Sequence, residues 1–224
     1  MIVSHKHKFV FIHIPKCAGF SITHALKPIL GEDDIAIEGV GQHSFARTIK
    51  EKYFESDDQW RGYFRFAIMR NPWARMHSVF YYNKHMSKTL EGRFEEDNAW
   101  HEYLKTVDHH RSFQDAIRED LSSKDPQSLI RSFCFDEKGR NLVTFIGKME
   151  PMELVWEHIC GQIGVSSKDV PLKHENRTPG KPLYLDEYDE ESKAIVGRVF
   201  QYDINFMDYK FAQSIIATSS ATTT

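Results

Sequence analysis

An apolar run that breaks at Pro15 constrains this chain more than any other feature: Phe9-Val-Phe-Ile-His-Ile-Pro-Lys-Cys-Ala-Gly-Phe-Ser21. The apolar residues suit a buried strand, Pro15 ends it, and Gly19 permits a tight turn before a helix that starts near Ser21. Backbone N–H groups at such a helix start, with the Lys16 ammonium beside them, form a site for a phosphate or sulfate. The same grammar returns at Tyr63–Met69, which runs into Arg70, Asn71, Pro72 and a helical stretch from Trp73 to about Met86. It returns again at Leu142–Ile146, followed by Gly147, Lys148 and a helix from about Met152 to Ile163. Strands alternating with helices predict an α/β fold in which a central, mostly parallel sheet is flanked by helices. In such sheets ligands gather at the carboxyl ends of the strands, the edge that would carry Lys16, Arg70 and Lys148.

Composition narrows the options. The 224 residues, 41% apolar and 13% aromatic, supply one core, and we expect a single domain over residues 1–217 with a disordered tail at 218–224. Between Ser87 and Arg140 the chain is polar and aromatic, with helical patterns at Ala99–Val107 and Phe113–Leu121, and reads as a helical insertion over the sheet. Helices are also expected at Ser44–Tyr53 and Glu187–Phe200, with a loop over Lys173–Lys181. Twenty-nine basic against 32 acidic residues give a formal charge of -3, so no global positive field marks a general nucleic-acid binder and the anion site must be local. Cys17, Cys134 and Cys160 are odd in number and lack a CxxC pair, which argues against a disulfide framework and a zinc site; a Cys134–Cys160 bridge stays open. The first strand starts within a few residues of Met1 and no apolar run is long enough to span a bilayer, so a soluble, cytoplasmic chain is the expectation.

The first turn is not the usual triphosphate loop, because G-x-x-x-x-G-K-[ST] is absent. Gly147-Lys148 and Gly180-Lys181 are followed by Met and Pro, so the hydroxyl that anchors magnesium is missing. The pair of turns instead resembles the sulfotransferases that use 3′-phosphoadenosine 5′-phosphosulfate (PAPS), particularly their carbohydrate-modifying branch and bacterial relatives. In that family I-P-K-x-A-G-x-S after a strand binds the 5′-phosphosulfate, and the match here is Ile14-Pro-Lys-Cys-Ala-Gly-Phe-Ser21. A second strand followed by R-N-P, with a serine eight positions after the arginine, binds the 3′-phosphate, matched by Arg70 and Ser78. The likeness continues through Phe145–Glu150, His174–Thr178 and Tyr202–Phe206.

The resemblance implies a three-layer P-loop-like fold, PAPS as donor, 3′,5′-bisphosphoadenosine (PAP) as product, no metal, and an acceptor hydroxyl on a carbohydrate. It assigns donor contacts to Lys16, Cys17, Ala18, Gly19, Phe20, Ser21, Arg70 and Ser78, with Lys148, His174 and Arg177 covering the nucleotide. Phe20 departs from the family, which usually has a small hydroxyl residue there, and Cys17 stands for a common threonine. Lys16 would meet the charge that grows on the departing phosphate oxygen. The acceptor must lose a proton, and His43 in Gly39-Val-Gly-Gln-His-Ser44 matches a histidine of bacterial relatives; His24 and His77 are the alternatives.

Each assignment has a plainer counterpart. Lys16, Lys148, His174 and Arg177 could be solvated loop residues, Arg70 could cap its strand, and Arg75 reads as a structural ion pair. Any one of the 12 histidines could be a surface group, and His5-Lys6-His7 and His109-His110 have no third metal ligand at recognisable spacing. Phe80, Tyr81 and Tyr82 read as helix packing. A kinase with a degenerate loop and a non-catalytic glycan- or nucleotide-binding module are the competing functions.

Overall fold

The run at Phe9 forms strand β2 (Phe9–Ile12), whose four residues are buried. It is paired antiparallel with β1 (Ile2–Ser4), a short strand not foreseen from the sequence, which pairs in turn with β3 (Ile35–Ala36). With β4 (Phe64–Met69) and β5 (Phe145–Lys148) the sheet has the order β3-β1-β2-β4-β5. β2, β4 and β5 run parallel, with Ile12 opposite Ala67 and Met69 opposite Lys148. The expected parallel sheet is therefore a three-strand core extended on one side by an antiparallel edge.

This structure is a computed structural model and describes residues 1–39, 41–93, 98–173 and 180–212. They divide into two units, one of residues 1–71 and 128–173 and one of residues 72–127 and 180–212. The first holds the sheet together with helices α1 (Gly19–Leu26), α2 (Ala46–Tyr53) and α3 (Asp57–Arg61); the second holds α4 (Pro72–Thr89), α5 (Ala99–Lys105) and α6 (Phe113–Leu121). Further along the chain, α7 (Leu129–Cys134) and α8 (Met152–Gln162) belong to the first unit, and α9 (Glu190–Val199) and α10 (Gln201–Phe206) to the second. The segment read as one helical insertion is thus shared, α5 and α6 going to one unit and α7 to the other.

In the sheet unit, Phe9 and Phe11 of β2 and Phe66 and Ile68 of β4 share a core with Ile22 and Leu26 of α1 and with Trp156, Ile159 and Cys160 of α8. Burial of each large side chain contributes about 1.5–3 kcal/mol. α8 presents that face because Trp156, Ile159 and Cys160 recur at helical spacing, and the Trp156 indole N–H donates to the Val170 carbonyl at 2.9 Å. All three cysteines are buried thiols outside any disulfide, so Cys134 and Cys160 form no bridge.

Two boundaries moved for physical reasons. β5 starts at Phe145 and contains Gly147 and Lys148, which the sequence reading placed after the strand. A Cβ on residue 147 would lie 2.5 Å from Val155 Cγ1 and 2.9 Å from Ile68 Cδ1, so glycine is what lets the strand pass beneath α8. Leu142 instead donates its N–H to the Cys134 carbonyl, outside the strand. In the second unit α9 starts at a capping box made by Asp189 and Ser192, three residues later than expected, because Glu187 is occupied elsewhere. Its carboxylate accepts from the Tyr81 hydroxyl at 2.6 Å and contacts His77 Nε2 at 2.6 Å. Phe80 packs edge-on to Phe113 and Tyr82 stacks on Trp100, so the aromatic cluster of α4 is packing, as read. No helix among the described residues is long and apolar enough to cross a membrane. The tail at 218–224, and His174 and Arg177 with the rest of 174–179, lie outside the described residues.

Candidate active site

The carboxyl end of β2 delivers His13, Ile14 and Pro15 to the turn that precedes α1. The turn is made by two non-glycine residues in the left-handed region, Lys16 at φ 65° and Ala18 at φ 61°, with Cys17 between them outside it. Alternation of this kind points successive backbone N–H groups inward and makes an anion-binding concavity. Each left-handed residue costs roughly 1–2 kcal/mol, and such strain is held where a site requires it. The helix that follows has no side-chain cap at Ala18, and its first intrahelical bond is from Ile22 N–H to the Ala18 carbonyl at 3.1 Å. Helix geometry therefore gives the N–H groups of Gly19, Phe20 and Ser21 no acceptor within α1.

Gly19 has a different job from the one the sequence suggested. It is not left-handed; a Cβ there would sit 1.6 Å from His13 Nε2. The missing side chain makes room for a buried imidazole against the first turn of α1.

The parallel register fixes the neighbours of this turn. Met69 pairs with Lys148, and Met149 N–H donates to the Met69 carbonyl at 2.7 Å, so Arg70 and Lys148 leave the sheet at the same carboxyl edge as the β2 loop. The Arg70 Nε is buried and has no hydrogen-bond partner among the described residues. A guanidinium donor held this way suits a phosphate oxygen. Ser78 is buried on α4, in the second unit, so the structure describes it within that unit alone.

His43 lies just before α2, in a loop turned by Gly39 at φ 73° and Gly41 at φ 89°. Its Nδ1 is 2.9 Å from the His13 carbonyl oxygen. A carbonyl can only accept, so Nδ1 carries the hydrogen and the neutral ring keeps its basic lone pair on Nε2. The two imidazoles meet edge-to-face with centroids 4.4 Å apart. Phe20 lies edge-on to His13 at 6.0 Å and to His24 at 6.4 Å and so helps wall in His13. The structure thus gathers Lys16, Ala18, Gly19, Phe20, Ser21 and His43 around one strand end.

The alternative bases fare differently. His24 is exposed on α1 and, with Ser21, Asp169 and Lys173, lines a cavity of about 200 Å³. His77 is fully buried, and its Nε2 contacts Glu187 at 2.6 Å within the second unit. Among the described residues no cluster of His, Cys, Asp or Glu is placed to hold a metal ion; His5 contacts the Tyr63 hydroxyl and His7 the Ile29 carbonyl.

His13 is the residue that sequence reading passed over, although a histidine inside an otherwise apolar strand end was the available signal. It is 3% exposed, its Nδ1 has no hydrogen-bond partner among the described residues, and burial, with His43 nearby, pushes its pKa down to about 2. In the unfolded chain a histidine titrates near about 6.5. The folded state therefore refuses a proton that the unfolded state accepts, so stability is full above that value and falls as pH drops from it toward 2. Between pH 7.5 and 5.5 this one group should cost about 1.4 kcal/mol. Urea titrations at the two pH values should show that loss in the wild type and a smaller one in His13→Gln; equal losses would refute the assignment.

With the geometry in hand, the family model described as "Sulfotransferase family" matches residues 1–210. No curated protein and no solved structure matches the chain.

Proposed function

Because the chain belongs to the sulfotransferase family, we propose that it moves a sulfuryl group from PAPS to a hydroxyl of a carbohydrate acceptor. The observation that carries this reading is the strained β2–α1 turn, with left-handed Lys16 and Ala18 at an uncapped helix start. Arg70 and Lys148 leave the same sheet edge and support it.

In this reading the loop amides and Lys16 hold the 5′-phosphosulfate, while Arg70 and Ser78 are assigned the 3′-phosphate. Cys17 lines the turn as a buried thiol whose Sγ contacts the Pro15 carbonyl at 3.6 Å. Lys148 and Arg177 are assigned to cover the nucleotide. The acceptor oxygen attacks sulfur as its proton passes to His43 Nε2. The bond from sulfur to the bridging oxygen breaks, and the electron pair leaves with the PAP phosphate. Lys16 meets that charge, an electrostatic contribution that grows along the reaction and is therefore catalytic.

Thermal shift with PAP tests the reading directly. PAP should raise the melting temperature, and a chelator should leave the shift unchanged, because the assigned contacts are cations and amides. Arg70→Ala and Ser78→Ala should weaken PAP far more than 5′-AMP, which lacks the 3′-phosphate; calorimetry on both ligands measures this. A shift that needs magnesium would favour a kinase. Turnover with labelled PAPS across a panel of sugars then separates an enzyme from a binding module.

A further inference from the structure

We propose that His13 is a positioning residue for the transfer reaction, its ring setting the distance between the β2–α1 turn and the His43 imidazole that the His13 main chain holds. The proposal rests on the functional reading above, in which His43 takes the acceptor proton.

Three contacts carry it. The His13 carbonyl accepts the His43 Nδ1–H at 2.9 Å, which fixes the tautomer and aims Nε2 away from the strand end. The His13 ring meets the His43 ring edge-to-face at 4.4 Å. The same ring lies on Gly19, so closely that even a methyl group there would fall 1.6 Å from Nε2 and 1.9 Å from Cδ2. One imidazole is thus wedged between the proton acceptor and the first residue of α1, with Phe11 stacked on it at 5.7 Å and Phe20 edge-on.

The wedge is buried and it stays neutral. His13 is 3% exposed, and burial holds it unprotonated across the physiological range, so it adds no second cation beside Lys16 or beside a protonated His43. Its Nδ1 is buried without a hydrogen-bond partner among the described residues. An apolar side chain would avoid that unfavourable arrangement, so the imidazole is costly to stability and its use here fits a site where geometry matters more.

The test is a double-mutant cycle on the full chain, with PAPS and the best acceptor from the panel. His13→Ala should lower kcat by about 10²-fold, the scale of a displacement of about 1 Å in a positioned group. The KM for PAPS and the affinity for PAP should stay within about threefold. In the double variant with His43→Ala the two losses should not multiply, because His13 acts through His43. His13→Gln, closer in size, gives a second variant should the alanine protein fold poorly, and it should also lose kcat without losing PAP. Full kcat in both His13 variants, losses that multiply with His43→Ala, or a defect confined to PAPS binding would each overturn the proposal alone. No sulfuryl transfer by the wild type, or a His43→Ala variant at wild-type rate, would overturn the functional reading and the proposal with it.

Discussion

Replacing His43 with alanine is expected to cut the transfer rate by about 10²–10⁴-fold, the range for loss of a positioned base, while PAP binds as it does to the wild type. The expectation follows from geometry. The His43 Nδ1–H is committed to the His13 carbonyl, so Nε2 is the nitrogen that can accept a proton. A base acts on the acceptor and not on the adenosine phosphates, so kcat and nucleotide affinity should separate cleanly. Single-turnover transfer and calorimetry with PAP measure the two quantities. Near wild-type turnover in the variant would discard His43 and leave His24, exposed one turn along α1 from Ser21, and His77, in contact with Glu187, as the next bases to test.

Lys16→Ala should be nearly as damaging, lowering the chemical step by about 10²–10³-fold, as loss of a group aimed at developing charge does. Product affinity should fall much less, because in the proposed reaction the lysine contributes most when the bond to sulfur is breaking. Alanine is the informative substitution here. Residue 16 sits at φ 65°, so another residue with a Cβ keeps the same backbone strain and isolates the ammonium. Lys16→Gly would relieve that strain as well and mix two effects. A variant whose rate and PAP affinity fall by the same factor would reduce Lys16 to a binding group.

The remaining site residues differ in how they could be known from the chain alone. Arg70 and Lys148 follow apolar runs, and a run of that kind in an α/β protein ends at the ligand-bearing edge. Their convergence was readable, although the exact end of β5 was not, since Gly147 looks like a strand terminator until Val155 and Ile68 are seen packed upon it. Gly19 was legible as necessary and misread as to why. The left-handed φ values fall on Lys16 and Ala18, residues whose side chains give no hint of it. His77 could not be sorted by position, because its contact with Glu187 spans 110 residues.

The sequence by itself determined what depends on near neighbours along the chain. The strand–turn–helix grammar, the cations at or just past the end of each parallel strand, and the spacing from Arg70 to Ser78 are set within a dozen residues, and they carried both the fold class and the family. Only the tertiary structure decided which histidine stands beside the β2–α1 turn, and why. His13 and His43 are 30 residues apart and meet because β1 and β3 extend the sheet beside β2, while the turns at Gly39 and Gly41 lead the chain on to His43. No local pattern encodes that meeting: it is fixed by strand pairing and by the empty space at Gly19, which exist only once the chain has packed.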